Sequence, residues 1–249
     1  MPLSHVIHIR LFGNLGDFLP DFRKGRRFEY TVKGCPSVKD ALEALGVPHV
    51  AIDVILVNRT AVDFSCQLKE GDDVRAYPEG YLKAAGVLHL LKPPLKFQFI
   101  ADSHLGKLAR DLRLLGFSVL YRNEFPDSLI VRMAARQRRI VLTRDKGILK
   151  QKVLHWGYWV RSCHHDRQVR EIIKRYDLLK HLSPFSRCVE CNGLIEAVAK
   201  ARVEDQLPPL TRRYYRNFFR CRKCRRIYWK GSHYRRLMLF VGQLRKTRV

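Results

Sequence analysis

Residues 97–116, Phe97-Gln98-Phe99-Ile100-Ala101-Asp102-Ser103-His104-Leu105-Gly106-Lys107-Leu108-Ala109-Arg110-Asp111-Leu112-Arg113-Leu114-Leu115-Gly116, decide the fold. A short apolar run gives way to a carboxylate, then to apolar residues at helical spacing, and finally to a glycine that stops the helix. The alternation continues downstream. The spacing predicts a strand over Phe117–Tyr121, a helix over Ser128–Gln137, a strand over Ile140–Thr143, a helix over Lys146–Val153, a strand over Tyr158–Val160 and a helix over Asp166–Tyr176. Short strands separated by single helices imply an α/β fold with a parallel sheet and right-handed crossovers. Ligands of such sheets sit at the carboxyl ends of the strands.

Working back toward the amino terminus, Gly86 and Pro93-Pro94 predict a linker over 83–95, because adjacent prolines resist helix interiors and central strands. Before it, strands at Val6–Phe12, Phe28–Val32, Val54–Val57 and Val74–Tyr77 surround a helix over Val38–Leu45, with Ser37 as its N-cap and Gly46 as its stop. Asn58-Arg59 and Lys69-Glu70-Gly71-Asp72-Asp73 read as turns. This order predicts a small α+β domain in which one helix lies across a mixed sheet.

Of the 249 residues, 46% are hydrophobic, enough for real cores, and 48 Lys+Arg against 23 Asp+Glu leave a formal net charge of +25. Solubility needs only about 2–8 charges, so a polyanionic partner is the natural reading. Residues 1–82 hold 10 basic and 11 acidic side chains, residues 83–182 hold 21 and 8, and residues 183–249 hold 17 and 4, so the whole excess lies beyond the first third. Met1 to Arg10 show no secretion leader, and no apolar run approaches the roughly 20 residues of a membrane span. A cytoplasmic protein with reduced thiols and no membrane partner is expected.

Asp102 and Asp145 each follow an apolar strand, and Asp127 precedes a helix whose start faces the same edge. Converging carboxylates offer the hard oxygen ligands that Mg²⁺ or Mn²⁺ takes, and such ions activate water for phosphodiester hydrolysis. Each residue is equally at home as a helix cap or turn residue. The cations around them favour the catalytic reading: Lys107, Arg110 and Arg113 recur along one helix and Arg144 and Lys146 flank Asp145, a set suited to holding phosphates, with a solvated basic face as the alternative for Arg113.

Four of the seven cysteines form Cys188-x2-Cys191 and Cys221-x2-Cys224. Two such knuckles close a tetrahedral thiolate site for structural zinc, and the long spacer is accommodated by a hairpin extension containing Pro208-Pro209. Cys35, Cys66 and Cys163 read as ordinary buried or half-buried residues. Arg212-Arg213-Tyr214-Tyr215-Arg216-Asn217-Phe218-Phe219-Arg220 interleaves cations with aromatics, so that Arg213, Tyr215 and Arg220 are candidates to bind RNA by charge and stacking, unless the aromatics fill the ribbon's core. His164, His165 and His233 are not needed as ligands and read as structural or RNA-contacting.

Two resemblances follow from these residues. Val57-Asn58-Arg59 with Leu68-Lys69-Glu70-Gly71-Asp72-Asp73-Val74 resembles the β-grasp, ubiquitin-like sulfur carriers. Those carriers end in a free Gly-Gly tail, whereas here Pro78-Glu79-Gly80-Tyr81 runs on, so a protein-partner or substrate-positioning role replaces sulfur transfer. Asp102 to Gly116 together with Leu142-Thr143-Arg144-Asp145 resembles the PIN-like ribonuclease domain named for the carboxy terminus of the Mut-seven exonucleases, and the two Cys knuckles with their flanks resemble the zinc ribbon that follows that domain. This resemblance implies a PIN-like fold, RNA cleavage, and Asp102, Asp127 and Asp145 as acidic metal ligands with Thr143 beside them. Glu124 competes with Asp127 for the middle role, and Asp111 stands where the family has an aromatic residue. The expected organisation is a β-grasp domain over 1–82, a linker over 83–95, a PIN-like nuclease domain over 96–182, and a zinc ribbon with a basic segment over 183–249. The expected function is Mg²⁺- or Mn²⁺-dependent hydrolysis of single-stranded or structured RNA; the alternative is a non-catalytic factor that binds tRNA or ribosomal RNA.

Overall fold

The computed structural model describes residues 4–79, 81 and 96–246, so the expected linker over 83–95 lies outside the described residues. The elements run β1 (Ser4–Leu11), β2 (Arg27–Lys33), α1 (Val38–Ala44), β3 (Ile52–Val57), β4 (Thr60–Val62), β5 (Asp73–Pro78), β6 (Gln98–Ala101), α2 (Gly106–Leu114), β7 (Ser118–Leu120) and α3 (Asp127–Gln137). They continue as β8 (Ile140–Thr143), α4 (Lys146–Leu149), β9 (Gly157–Trp159), α5 (His165–Arg175), β10 (Ile195–Val198), α6 (Pro209–Tyr214), β11 (Phe218–Cys221), β12 (Ile227–Tyr228) and α7 (Ser232–Lys246). Two compact units result: one joins Met1–Lys96 with Val131–Trp159, the other Phe97–Ile130 with Val160–Val249.

The first unit contains a five-stranded sheet ordered β2-β1-β5-β3-β4. β1 is antiparallel to β2 and parallel to β5, which makes the sheet mixed as expected. Period-two alternation along β1 sends Ile7, Ile9 and Leu11 into a core shared with Val38 and Leu42 of α1. Ser37 caps that helix by accepting the Asp40 N–H at 3.1 Å. Asn58 and Arg59 both take left-handed backbone, with φ of 50° and 69°, so the turn closes a β3–β4 hairpin. The Asn58 amide donates to Asp72 at 2.7 Å while its oxygen accepts the Asp73 N–H at 2.9 Å. The Asn58 and Gly71-Asp72-Asp73 turns are thus one hydrogen-bonded clasp.

In the same unit β8 and β9 run parallel, from Val141 opposite Gly157 to Thr143 opposite Trp159. The β-grasp segment packs on this pair. His49, buried after β-grasp helix α1, places Nε2 2.9 Å from the carbonyl oxygen of Leu154 and Nδ1 2.6 Å from Glu43 Oε1. Phe18 meets the Trp159 ring at 5.2 Å.

The second unit holds the parallel pair β6–β7, helices α2 and α5, and an antiparallel three-stranded sheet ordered β10-β11-β12. Leu108 and Leu112 of α2 are fully buried. Gly116, at φ +102°, ends the helix where any Cβ would lie 2.2 Å from the Ser183 carbonyl oxygen. The chain leading into the ribbon is stitched to this helix end by Ser183 N–H to Leu115 O (3.1 Å) and Phe185 N–H to Leu114 O (2.9 Å).

Three sequence expectations require correction. The ribbon spacer is not a hairpin extension: it contains β10, two short 3₁₀ turns and α6, with Pro209 at the first helical position, where its missing N–H costs nothing. Cys35 and Cys163 are exposed, not buried, while Cys66 is half-buried. Arg113 does not face solvent or phosphate, being only 3% exposed. Among the described residues no helix is long and apolar enough to cross a membrane.

Candidate functional site

Asp102 follows β6 directly and is 5% exposed; its carboxylate accepts the N–H and hydroxyl of Ser103, which starts a 3₁₀ turn leading into α2. At the end of β8, Thr143 is fully buried and its hydroxyl oxygen accepts the Asp145 N–H at 2.9 Å. The Asp145 carboxylate in turn accepts the Gly147 N–H at 2.7 Å, capping α4. Two successive side-chain-to-backbone turns therefore fix Asp145 at an exposed strand end. Asp127 opens α3 as an exposed acidic residue in its first turn, and Glu124 is exposed three residues earlier. Both Asp102 and Asp145 sit at carboxyl ends of parallel strands, each within its own unit.

The cations have varied settings. Lys107 is exposed on α2, and Arg110 one turn on pairs with Glu190 Oε1 at 3.0 Å. Arg144 is exposed beside Asp145, whereas the Lys146 ammonium lies over Trp159, 3.9 Å from the ring centroid, and 5.5 Å from that of Phe18. Arg213 is exposed with its guanidinium over Tyr214, Tyr215 is half-buried against Trp229, and Arg220 is half-buried on β11. The residue out of pattern, Asp111, is 6% exposed and sets Oδ2 2.8 Å from His165 Nε2, whose Nδ1 lies 3.2 Å from Asp166. His165 thereby has a structural role in joining α2 to α5, while the His233 side chain lies outside what is described.

Cys188, Cys191, Cys221 and Cys224 gather their sulfur atoms within 4.8 Å of one another, the group of three or more candidate metal ligands found among the described residues. Cys188 and Cys224 Sγ are 3.5 Å apart, and Cys191 and Cys221 Sγ 3.4 Å. A tetrahedral Zn²⁺ with Zn–S of about 2.3 Å needs sulfur separations of about 3.8 Å, so this donor set can hold zinc. The knuckles match locally: Asn192 and Arg225, each following a second cysteine, share φ of 63°, and Cys188 and Cys221 donate their N–H groups to Gly193 and Arg226 carbonyls. Burial opposes ionisation of Cys188, yet the Cys191 N–H and the Tyr228 hydroxyl outweigh it and bring the thiol to about 7. Burial pushes Cys224 up to about 12 and raises Tyr228 as well.

Arg113 was missed as a structural residue. Its Nε donates to the Val119 carbonyl at 2.9 Å, and Nη1 to Val189 and Glu190 at 2.8 Å each. Asn192 adds a second tie, its oxygen accepting the Val119 N–H at 3.0 Å. The first knuckle is thus bolted to β7.

A strand–carboxylate–helix segment bolted to a four-cysteine ribbon is matched, over residues 97–241, by the family model described as the Mut7-C RNAse domain. That match spans more than half of the 249 residues. The chain belongs to the Mut7-C RNAse domain family. Residues 4–81 match the Mut7-C ubiquitin model, in the amino-to-carboxyl order read from the sequence. Comparison with curated proteins and with solved structures found no match. Membership in the Mut7-C RNAse family assigns the chain a nuclease-type function.

Proposed function

We propose that this Mut7-C protein is a ribonuclease that hydrolyses RNA phosphodiester bonds with Mg²⁺ or Mn²⁺ held by Asp102, Asp127 and Asp145. The observation that carries the reading is the placement of Asp102 and Asp145 at the carboxyl ends of parallel strands inside the family match. Their carboxylate oxygens are the donor type these hard cations take, and a bound ion would supply an activated water and charge stabilisation of the leaving oxygen. Thr143 positions Asp145 through its backbone N–H. Lys107, Arg110, Arg144 and Lys146 supply phosphate contacts near the acids, and Arg213, Tyr215 and Arg220 extend the basic and aromatic surface for RNA. The cysteine cluster holds zinc as scaffold, and the β-grasp domain offers a surface to a protein partner.

A second reading, a non-catalytic factor on tRNA or ribosomal RNA, is favoured by one observation: Asp102 and Asp145 both serve as caps of their own turns. Incubating zinc-loaded protein with single-stranded and hairpin RNA separates the two. Cleavage that needs Mn²⁺ or Mg²⁺ and disappears in Asp102→Asn is expected; RNA bound by wild type but left intact under every divalent ion would establish the non-catalytic factor instead.

A further inference from the structure

Beside the cysteine cluster lies an open cavity of about 460 Å³, lined wholly by residues of the second unit. Its walls are rings, with Phe185, Tyr215, Tyr228 and Trp229 around the space. Tyr215 and Trp229 are 6.2 Å apart and inclined at 50°. A nucleobase is a flat π-system that stacks on the exposed face of such a ring.

Among the described residues the charged groups of the cavity are three and opposed in sign, Glu190 against Arg110 and Arg226. Glu190 enters from the first knuckle, and its Oε1 receives both Arg110 (3.0 Å) and Arg226 (3.2 Å). Both arginines are 57% exposed, so their remaining donors face the solvent side, where a phosphate would lie. The Glu190 backbone is immobilised from beneath, since Arg113 donates to its carbonyl and to that of Val189. With both guanidinium contacts on Oε1, the second carboxylate oxygen keeps lone pairs with which an occupant could be bound.

We propose that this cavity is a binding site for an unpaired guanine base of single-stranded RNA, stacked among the rings with its N–H edge on Glu190 and its phosphate on Arg110 and Arg226. A carboxylate only accepts hydrogen bonds when ionised, and guanine is the base that offers two N–H donors, the ring imino and the exocyclic amine, side by side on its Watson–Crick edge. Adenine and cytosine offer one amino group there, and uracil one imino group. The inference rests on the RNA-directed reading but not on catalysis, and it gives the ribbon a selective role.

Binding of full-length, zinc-loaded protein to fluorescein-labelled U10, and to U10 with one central guanosine, inosine or adenosine, tests this with no catalytic metal present. Wild type should prefer the guanosine oligomer over U10 by about tenfold, the scale of a well-placed pair of hydrogen bonds to a base edge. Inosine, lacking the exocyclic amine, should fall between, and adenosine should match U10. Glu190→Ala should erase the preference while U10 affinity is kept or rises, because Arg110 and Arg226 lose their competing carboxylate. Gly231→Val provides an independent check that spares the charges: Gly231 lines the cavity and a Cβ there already stands 3.1 Å from Trp229 Nε1, so the larger side chain takes up space at the ring wall and displaces the indole. It too should abolish the preference, with zinc content and far-UV circular dichroism unchanged. Equal affinity for all four oligomers, or a preference that survives both variants, overturns the guanine site and leaves the nuclease reading standing. Failure to bind any oligomer overturns both.

Discussion

Arg113 on α2 donates from Nη1 to the carbonyl oxygen of Val189, at 2.8 Å, across 76 residues of sequence. One buried side chain thereby ties α2 and β7 to the first cysteine knuckle, using acceptors on both sides: Val119 on one, Val189 and Glu190 on the other. Arg113→Ala strands these carbonyls without donors, and each unsatisfied group costs about 1–3 kcal/mol. Denaturant unfolding should show a loss of at least about 3 kcal/mol, with Arg113→Lys intermediate because one ammonium cannot span the fork. A loss below about 0.5 kcal/mol, the range of ordinary surface changes, would show that the bolt is not structural.

His49 joins the β-grasp segment to the β8–β9 segment through Leu154. Burial holds its imidazole below the ordinary value of 6.5, against the opposing pull of Glu43 and the Leu154 carbonyl. The folded protein therefore binds this proton less readily than the unfolded chain. The associated stability is complete above about pH 6.5 and is lost as pH falls through that value toward the depressed folded one. Thermal melts from pH 7.5 to 5 should show Tm falling in wild type and a flatter profile in His49→Gln; parallel profiles would remove His49 from the account.

Zinc in the ribbon should be bound once per chain and released by chelators. Metal analysis of purified protein should return one equivalent, and Cys221→Ser should lose it. Since Tyr228 and Cys188 touch at 2.9 Å, chelation should also disturb the aromatic cavity and change Trp229 fluorescence. Full zinc content in Cys221→Ser would mean that the metal is held elsewhere.

Lys146, over Trp159, carries its charge next to Asp145. Lys146→Ala should weaken binding evenly across RNA sequences and lower the slope of log K against log salt by about 1. A sequence-dependent loss with an unchanged slope would assign Lys146 to base contacts instead of phosphate.

β6 and β8 were legible as short apolar runs that each end at a carboxylate-bearing turn, and the helices through local signals such as Ser37 before α1 and Gly116 after α2. The four cysteines were legible because knuckle chemistry depends on spacing alone. Arg113 was not, since its spacing with Lys107 and Arg110 suggests a basic face, and nothing local shows that carbonyls 76 residues away receive it. Asp111 likewise looked like a departure until His165, from another helix, supplied its partner. β4 and α7 were missed for opposite reasons. β4 has three residues and exists through its pairing with β3, whereas α7 is long but centres on the continuous apolar run over residues 237–241, whose pattern does not separate helix from strand.

The central claim is that Asp145 acts in metal-dependent RNA cleavage beyond its capping of α4. The direct measurement pairs RNA affinity with Mn²⁺-dependent cleavage in wild type and Asp145→Asn, because the amide oxygen can still accept the Gly147 N–H while the charge is gone. Affinity should be retained and cleavage should fall by more than about a hundredfold, since even outer-shell partners of metal ligands are worth roughly 10–100-fold. Equal cleavage by both proteins, or none by either with RNA still bound, would contradict it.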